Sequence, residues 1–564
     1  MNIEWFTRFL RTIKWLKLEQ VVFRIWFALL RKVLHKSARS LKMPTDSVIA
    51  EIPDVTTQFL EYKCFDPLVL STGQFKFLNI SVVYGKFPDW YDINKSRLWR
   101  YNLHYFDYIR FKDESITSTG LDLIKNWIEK NPSGTLDAWD PFPTSLRIVN
   151  WIKFLALHEI SGPDFQIISR SIHEQTQWLE RFMERHLLAN HLFKNLKALI
   201  FAGLFFKDKF GNRWLSESLR LLDRELDEQI LLDGGHYEHS PMYHSMILED
   251  CLDLLNVMNG SKRSELGGAE KKLSAVAEKM SRFLSVMCHP DGGIALFNDS
   301  AFGIEALPSD LISYFERLTG NSIHQRDDTC ISLPASGYHI MSPTRGDRLF
   351  VDCGPIGPDY QPGHSHCDTL SIELSLKGKR VIVDSGCYGY EDGPMRQYNR
   401  GNAGHNTVTI DGENQSEVWA SHRCARRAKP IYARLNEGDN ELIFEGAHDG
   451  YKRLYGKPIH HRKITWRGNR IDIEDTIDGK GKHDFELRLH INPDLNLRIA
   501  GGEAMISDEA SDIARIQTLP IGVVTAQDGW YCPEFGKRLP CDVLVNRHWK
   551  VQLPFKTGWT IYIS

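Results

Sequence analysis

The sequence predicts a multidomain α and β protein, in which an N-terminal (α/α) toroid is followed by a C-terminal antiparallel β-sandwich. From about residue 96 to 320, apolar residues recur at three- and four-residue spacing, which is typical of amphipathic helices. After about residue 335 the pattern changes to the alternation of half-buried strands, with frequent turn residues. The chain also has 564 residues, more than one ordinary hydrophobic core holds.

The N-terminal segment, residues 1–45, is predicted to be a basic amphipathic helical leader. Its first forty residues carry nine Lys or Arg and two Glu, with apolar residues at helical spacing. Because Arg24 interrupts the best apolar run, the segment matches neither a secretory signal nor a membrane span. Two interpretations stay open: a helix lying on an anionic membrane surface through residues 1–40, or an extension packed on the main body with a solvated basic face.

Residues 46–325 are predicted to form the toroid. Amphipathic segments follow one another, separated by short breaks rich in Gly, Asp, Asn or Pro. No exact repeat is present, but the serial rhythm of helical hairpins favours a toroid or solenoid. The clearest segments read SLRIVNWIKFLALHEI, IHEQTQWLERFMERHL, HLFKNLKALIFAGLFF, NRWLSESLRLLDRELDEQI and SMILEDCLDLLNVMN.

Residues 326–564 are predicted to form the β-sandwich. The stretch TLSIELSLKGKRVIVDSG alternates and contains a turn signal at Lys377–Gly378, which indicates a hairpin. Later stretches such as RKITWRGNRIDIEDTIDG repeat this style. The net charge of −3 gives no global attraction to nucleic acid, and no nucleic-acid partner is expected. Ten cysteines without a CxxC pair favour reduced thiols over a disulfide framework.

Three segments of the helical half concentrate acid, base and hydrogen-bonding groups. They read WDPFPTSLRIVNW, RHLLANHLFKN and LLDGGHYEHSPMYHS. The third is a loop broken by Gly and Pro, and loops on a rigid scaffold commonly carry function. Such density of titratable groups has little packing rationale, which favours a functional site. The groups are Arg147, Asn190, His191, His236, Glu238, His239, Tyr243 and His244.

A second concentration of such groups lies in the β half, in GHSHCDTL, VIVDSGCYG and GNAGHNTVTI. His364 and His366 are placed at the start of a strand, where residues two apart face the same side. Asp384 follows as the end of the next strand, and His405 as the start of a third. His366, Asp384 and His405 are suitable ligands for a zinc-like ion, or they form structural hydrogen bonds instead.

Taken in order, NHLFKN, DGGHYEHSPMYH, GHSHCD, VDSGCY and AGHNTV resemble the heparinase II/III family of polysaccharide lyases. The resemblance extends from about residue 96 to beyond 420. It implies the toroid and sandwich already predicted, and cleavage of uronic-acid-containing polysaccharides by β-elimination. Proteins resembling this family occur alongside bacterial capsule or exopolysaccharide synthesis. Together with the basic leader, this predicts a cytoplasmic or inner-membrane-associated protein, with the periplasm as the alternative.

The resemblance also implies roles for individual residues. Asn190 would neutralise the uronate carboxylate as the C5 proton leaves, because a preorganised amide stabilises enolate character. Tyr243 and His364 would be the acid and the base, in an order that depends on the C5 epimer. His366, Asp384 and His405 would hold a structural divalent metal, zinc first and calcium as the alternative. The candidates for substrate binding or support are Arg147, His191, Glu238, His244 and Arg400.

Two other function classes stay open at this point. Asp291 and Asp299 in HPDGGIALFNDS are a candidate carboxylate pair for a glycoside hydrolase, although Gly292–Gly293 and Asn298 look more like turn residues. A non-catalytic polysaccharide-binding or assembly protein would keep the cleft without the chemistry. The expected partner is an acidic polysaccharide, and the modest charge favours an unsulfated bacterial uronate polymer. The oligomeric state is left open.

Overall fold

The computed structural model describes residues 3–34, 49–61, 70, 72–261, 263–324 and 328–564. Helices dominate up to Thr319 and strands dominate after Cys330, as the change of period predicts. Part of the predicted leader (35–45) and the predicted boundary at 325/326 lie partly outside the described residues, so both domain limits stay predictions. The longer helices are α1 Ile3–Ile13, α2 Leu18–Leu34, α3 Arg97–Tyr105, α4 Glu114–Lys130, α5 Pro141–Leu157, α6 Gly162–Phe182, α7 Ala189–Phe205, α8 Lys209–Gln229, α9 Pro241–Ser261, α10 Gly267–Val286, α11 Pro308–Thr319 and α12 Pro394–Arg400.

The helices of the toroid alternate between an inner and an outer position. Helices α5, α7 and α9 contact one another in sequence and are buried along nearly their whole length. Helix α8 instead buries one face and exposes the other, as expected of an amphipathic helix on the outside. The five segments singled out in the sequence correspond to α5, α6, α7, α8 and α9.

Buried charges link the three inner helices. Lys153 on α5 and Lys197 on α7 both contact Asp253 on α9, each at 2.5 Å from Nζ to Oδ2. Lys194 and Lys197 also contact Asp250, at 2.9 and 2.7 Å. A buried ion pair is retained only when its charges meet partners, because desolvation otherwise outweighs the attraction. These residues form the inner-helix network, and it lies beside a small pocket of about 120 Å³ that is also lined by Tyr243.

The β region consists mainly of three antiparallel sheets. The eight-stranded sheet has the order β11-β12-β13-β14-β21-β18-β17-β16, the four-stranded sheet β19-β20-β15-β8, and the five-stranded sheet β3-β4-β5-β6-β7. Their apolar residues share one core, to which Leu374, Ile464 and Leu487 each contribute from a different sheet. The bounds are β1 Gln74–Phe77, β2 Ile80–Val83, β3 Cys330–Leu333, β4 Tyr338–Met341, β5 Arg348–Asp352, β6 Ile372–Leu376, β7 Lys379–Ile382, β8 Val408–Ile410, β9 Val418–Trp419, β10 Arg423–Cys424, β11 Pro430–Gly438, β12 Glu441–His448, β13 Ile459–Arg467, β14 Arg470–Asp478, β15 Lys482–His490, β16 Asn496–Ala500, β17 Glu503–Ser507, β18 Asp512–Leu519, β19 Thr525–Glu534, β20 Lys537–Gln552 and β21 Phe555–Ile563.

The helical and β regions pack directly on each other. The apolar core of the helices continues into Val383, Cys387, Tyr531, Phe535 and Val543, all from the β region. Burial of this shared surface fixes the loops at its edge. Those loops, together with the inner helix ends, line the cleft described below.

Helices α1 and α2, the N-terminal hairpin, contact both regions. Gln20 donates to the carbonyl oxygens of Leu187 and Tyr360, each at 3.3 Å, and Lys17 pairs with Glu228. Trp5 packs edge-on against Trp419 of β9. One face of the hairpin is therefore held on the main body. Among the described residues, no helix is both long and apolar enough to cross a bilayer, and every described cysteine has a free thiol.

Candidate active site

A cleft of about 640 Å³ opens where the helical and β regions meet. Both regions contribute side chains to its lining, so neither could form it alone. All three residues predicted as catalytic line it together, along with residues that the sequence did not single out. The lining includes Asn190, His191, Tyr243, His364, Tyr390 and His422.

Asn190 lies in the first turn of α7, directly after a strained backbone segment. Leu188 and Ala189 have positive φ angles of 64° and 55°, which are unfavourable for residues with a side chain. The turn directs the amide of Asn190 to Glu238, and Nδ2 donates to both carboxylate oxygens at 3.0 Å. Its backbone N–H donates to Glu238 as well, at 3.1 Å. Glu238 therefore fixes the orientation of the Asn190 amide.

Tyr243 lies in the first turn of α9, just after the loop that was rich in titratable groups. Ser240 is placed to cap this helix, because its Oγ accepts from the backbone N–H of Tyr243 at 3.2 Å, and Pro241 occupies the first helical position. The hydroxyl of Tyr243 lies 2.8 Å from that of Tyr390. Burial raises the pKa of the Tyr243 phenol well above its usual value, and the hydrogen bond with Tyr390 only partly opposes this rise. The phenol is therefore protonated at neutral pH.

His364 and His366 lie in the loop between β5 and β6, not at the start of a strand as predicted; β6 begins at Ile372. The two rings nevertheless meet one group. Nδ1 of His364 lies 2.9 Å from Oδ2 of Asp299, and Nε2 of His366 lies 2.8 Å from Oδ1 of the same carboxylate. The ring of His364 lies against the ring of Tyr243, with 3.9 Å between the ring centroids and an angle of 31° between the ring planes. The two histidines are thus aligned by their contacts with Asp299 and not by the alternation of side chains along a strand.

Asp299 is fully buried and is the centre of this arrangement. The guanidinium of Arg396 donates to both of its oxygens, with Nη2 at 2.8 Å from Oδ2. Burial would raise the pKa of Asp299, but the charge of Arg396 and the hydrogen bonds from the two histidines outweigh it and hold that pKa well below its usual range. Asp299, Arg396, His364 and His366 are called the Asp299 network below.

A group of candidate metal ligands lies behind the cleft. Potential ligand atoms of His366, Asp368 and His405 all lie within 4.8 Å of one another, and the three residues are buried. Nδ1 of His366 and Nε2 of His405 have no hydrogen-bond partner among the described residues. The other nitrogen of each ring contacts a carboxylate, Asp299 for His366 and Asp384 for His405, the latter at 2.7 Å.

Two free imidazole nitrogens and a carboxylate, each ring oriented by a second carboxylate, fit a divalent transition metal. The structure groups Asp368 with His366 and His405, whereas the sequence analysis named Asp384 as the third ligand. Asp384 is occupied with Nδ1 of His405 and with the backbone N–H of Gly386, at 3.1 Å. It therefore orients a ligand in this geometry.

Family comparisons agree with the arrangement of the chain. Residues 82–317 match the family model described as Heparinase II/III N-terminus, and residues 326–557 match Heparinase II/III-like, C-terminal. The chain belongs to the heparinase II/III family. The solved structure titled heparinase III superimposes with a TM-score of 0.71 at 17% identity, covering 94% of this chain and 89% of that one, and it supports the toroid and sandwich fold.

Two curated relatives of this heparinase II/III chain carry different names. A heparin-sulfate lyase from Bacteroides thetaiotaomicron is 22% identical over 437 residues, which are 67% of this chain and 58% of that protein. The chain thus spans less than two thirds of that relative's length. FtsZ-localized protein C from Caulobacter vibrioides is 22% identical over 442 residues, which are 72% of this chain and 71% of that protein.

The residues predicted to bind or support substrate occupy different places in this family member. His191 lines the cleft, with Nδ1 at 3.1 Å from Glu184, and the charges of Glu184 and Glu238 raise its pKa although burial lowers it. Glu238 positions Asn190 from behind the cleft surface. Arg400 is buried and donates to the carbonyl oxygen of Ser365 at 3.1 Å, so it supports the loop that carries His364.

Arg147 and His244 lie in the helical core and do not line the cleft. The guanidinium of Arg147 stacks on Trp127 at 3.8 Å and donates to Gln175 at 2.8 Å. Nε2 of His244 lies 2.9 Å from the carbonyl oxygen of Met280, and burial lowers the pKa of His244 to about 4. Both side chains face inwards because the helices that carry them belong to the inner layer. Their geometry gives them packing roles.

The carboxylate pair considered for a hydrolase is divided between two ion pairs. Asp291 accepts from Nε of Arg380 at 2.7 Å and from the backbone of Gly293, whereas Asp299 is held by Arg396. Neither carboxylate lines the cleft. A hydrolase needs one carboxyl group to protonate the leaving oxygen and a second to act as base or nucleophile. The observed geometry does not favour it.

Sequence reasoning missed Tyr390, Arg396, Asp368 and His422. Tyr390 and Arg396 stand only a few positions after the VDSGCY motif, in GYEDGPMRQ. Asp368 belongs to the quoted stretch GHSHCDTL itself, two positions after His366. The closeness of Tyr390, Arg396 and Asp368 to these motifs is therefore the sequence signal that could have identified them. His422 lies in a basic run that looks like a solvated surface, so no comparable signal marks it.

Proposed function

We propose that this chain is a polysaccharide lyase that cleaves a uronate-containing polymer by β-elimination. The single observation that carries the proposal is the meeting of Asn190, Tyr243 and His364 in one cleft. An amide, a phenol and an imidazole are what this elimination needs: a carboxylate stabiliser, an acid and a base. Membership of the heparinase II/III family and the name of the Bacteroides relative support it.

Asn190 is the proposed stabiliser of the uronate carboxylate. Removing the C5 proton shifts charge onto that carboxylate, and a fixed N–H donor lowers the cost without titrating. The two contacts from Glu238 hold the amide in place before substrate arrives, which avoids reorganisation during the reaction. Asn190 lines the cleft from the end of α7, although only 1% of the residue is exposed to solvent.

His364 is the proposed base. Because Nδ1 faces the carboxylate of Asp299, its proton is favoured on that nitrogen. Nε2 then carries the lone pair that takes the C5 proton. The imidazolium that forms is stabilised by the Asp299 carboxylate, which stays ionised. Arg396 and Asp299 are positioning residues in this scheme, since they act through His364.

Tyr243 is the proposed acid that protonates the leaving O4. A phenol carries its proton at neutral pH, and Tyr390 holds the hydroxyl in place. The rings of Tyr243 and His364 lie side by side, so both act on the same face of the sugar. A proton at C5 and an oxygen at C4 lie on the same face in glucuronate and on opposite faces in iduronate. The proposal therefore favours glucuronate.

The proposed substrate is a weakly sulfated or unsulfated uronate polymer, such as a bacterial capsule or exopolysaccharide. Arg24, Arg97 and Arg423 line the cleft and suit an anionic chain. Carboxylates of Asp140, Glu184 and Glu391 line it too, and they would repel a dense row of sulfates. Heparan sulfate is included in the substrate panel below because the Bacteroides relative is named a heparin-sulfate lyase.

The first experiment follows the ultraviolet absorbance of the C4–C5 double bond, which only β-elimination creates. The panel contains heparan sulfate, hyaluronan, chondroitin sulfate, dermatan sulfate, alginate and acidic bacterial exopolysaccharides. Chondroitin and dermatan share linkages and differ in the C5 epimer, so activity on the first alone supports same-face elimination. Tyr243→Phe is the inactive control. New reducing ends without absorbance would replace the proposal with a hydrolase.

We also propose a structural divalent metal, zinc first, held by His366, Asp368 and His405. Bound there, the ion would tie the loop of His364 to the strand region of His405. The expected result is one zinc per chain by elemental analysis and a higher melting temperature than after chelation. Asp368→Asn should abolish that difference, while Asp359→Asn, an exposed matched change, should keep it. A full-length protein that binds no zinc or calcium would refute the site.

A second candidate is a non-catalytic polysaccharide-binding or assembly protein. One observation favours it: a relative matched over 71% of its length is named for localisation with FtsZ, not for a lyase activity. It predicts tight binding of a glycan without a double bond, and Tyr243→Phe would bind as the wild type does. The intact set of Asn190, Tyr243 and His364 favours the lyase.

A further inference from the structure

We infer that the N-terminal hairpin binds the surface of an anionic lipid bilayer. The inference goes beyond the proposed function, because it rests on the surface of α1 and α2 and not on the cleft chemistry. The sequence left open whether the basic leader packs on the body or lies on a membrane. The hairpin has two faces, so one face can pack on the main body while the other lies on a membrane.

Among the residues that the structure describes, the outer face of α2 is an apolar stripe without a partner on the main body. Leu18, Val22, Ile25, Trp26 and Leu29 follow the three- and four-residue spacing of one helix face, and Leu18, Ile25 and Trp26 are 79%, 60% and 53% exposed. Phe6 and Leu10, one turn apart on α1, are exposed as well. Together these residues form the outer patch. Exposed apolar side chains aligned on one face of a helix mark an interaction surface.

The inner face of the same hairpin is already occupied. Gln20 is buried against the carbonyl oxygens of Leu187 and Tyr360, and Phe27 packs on Phe182 and His186. The helix pair therefore already packs on the protein core through its inner face, and the apolar outer residues are not needed for that packing. They are a second, opposite surface on a helix pair that is already anchored.

Charge identifies the occupant of the outer patch. Residues 3–34 carry seven Lys or Arg and two Glu, whereas the whole chain has a net charge of −3. Positive charge is thus concentrated at the hairpin, where Lys14 and Arg24 are exposed. Apolar side chains flanked by basic ones fit the headgroup and acyl boundary of an anionic leaflet. A second copy of this chain would bring two basic hairpins together, and like charges oppose that contact.

The position of the hairpin connects this surface with the cleft. Arg24 and Phe27 line the cleft together with His364 and Tyr243. Binding through the outer patch would therefore hold the cleft mouth close to the membrane. A polymer that emerges from or is attached to that membrane would reach the site without free diffusion of the protein.

The test is co-sedimentation of the full-length protein with vesicles of phosphatidylcholine, alone or mixed with phosphatidylglycerol. We expect binding to the anionic vesicles that weakens as salt rises, and little binding to the neutral ones. The variant Ile25→Glu/Trp26→Glu should bind about a hundredfold more weakly, because two apolar anchors are lost. Ile521→Glu/Val523→Glu, which changes two exposed apolar residues of the β region, is the matched control and should bind normally.

Two results would overturn the inference. One is that the wild-type protein does not bind anionic vesicles, and a dimer in analytical ultracentrifugation that the hairpin variant dissolves would then show that a second copy covers the patch. The other is that the hairpin variant binds the vesicles as strongly as the wild type does. Circular dichroism of each variant shows whether it is folded, and both substitutions lie on exposed side chains. No polymer is present in the assay, so its outcome is independent of the lyase proposal.

Discussion

The inner-helix network and the Asp299 network both bury carboxylates, but they leave different atoms free. In the first, Lys153 and Lys197 form ion pairs with Asp253 at 2.5 Å, so the ammonium groups and the carboxylate neutralise one another. In the second, Arg396 neutralises Asp299, and the remaining contacts orient His364 and His366. The first network joins three helices. The second holds an imidazole whose other nitrogen remains for chemistry.

The difference teaches where function is to be sought among buried charges. Burial of a charge is costly, so any such group needs partners, and partners alone do not indicate a site. What distinguishes the Asp299 network is His364, which lines the cleft beside Asn190 and Tyr243. Lysines of the inner-helix network also line a pocket, the small one, but their ammonium groups are already paired with the carboxylates of that network. His364 belongs to the β region, and the ring of Tyr243 that it contacts belongs to the helical region.

The largest expected effect separates the two networks directly. Asp299→Asn leaves the buried Arg396 without its carboxylate and should lower the free energy of unfolding by about 3–5 kcal/mol. Asp253→Asn should lower it by less, because Lys197 keeps its contact with Asp250. Only Asp299→Asn should also remove activity from the molecules that stay folded, because His364 loses its orientation. Chemical denaturation combined with the absorbance assay measures both. Full activity per folded Asp299→Asn molecule would show that the network is structural only.

Tyr243→Phe tests the chemistry without disturbing either network. We expect a loss of about 10²–10⁴-fold in kcat, the usual contribution of a general acid, with little change in melting temperature. Tyr314→Phe is the matched control, since Tyr314 is a fully buried tyrosine whose hydroxyl lies 3.2 Å from Asp253. It should lose stability by about 1.5–3 kcal/mol, because the lost hydrogen bond is to a carboxylate, and keep its activity. Equal activities of the two variants would contradict the assignment of the acid.

The inner-helix network predicts a dependence of stability on pH. Burial raises the pKa of Asp253, but Lys153 and Lys197 outweigh it and leave that pKa below its usual value. As pH falls below about 4, the unfolded chain takes up this proton first, so the stabilisation present above that pH is lost. The expected loss by pH 3 is about 1 kcal/mol, because a single carboxyl group with an unfolded pKa of about 3.9 contributes about 1.4 kcal/mol per pH unit below that value. Denaturation curves between neutral pH and pH 3 measure it, and Asp253→Asn should flatten the slope.

The smallest expected effect concerns the hydrogen bond that supports Tyr243. Tyr390→Phe removes the hydroxyl at 2.8 Å, which helps to hold the acid in place. One neutral hydrogen bond contributes about 1 kcal/mol, so kcat should fall about fivefold while KM changes little. Steady-state kinetics on the active polymer decide this. A loss as large as that of Tyr243→Phe would instead make Tyr390 a direct participant in proton transfer.

Much of the fold was readable from the chain because periodicity is a local property. The segments with helical spacing became α5 to α9, and the turn at Lys377–Gly378 lies between β6 and β7 as predicted. The motif residues Asn190, Tyr243 and His364 meet in one cleft as the resemblance implied. Arg147 stands in an equally suggestive segment but points into the core. Pattern alone does not tell an inner helix face from a cleft wall.

The sequence by itself determined the order of helices and strands, the basic character of the hairpin and the chemical types available for a site. Only the tertiary structure decided which carboxylate meets which histidine. His364 and Asp299 are 65 positions apart, and Asp384 contacts His405 while Asp368 joins the candidate ligand group. Secondary structure depends on neighbours along the chain, whereas these contacts depend on how two packed regions bring distant loops together.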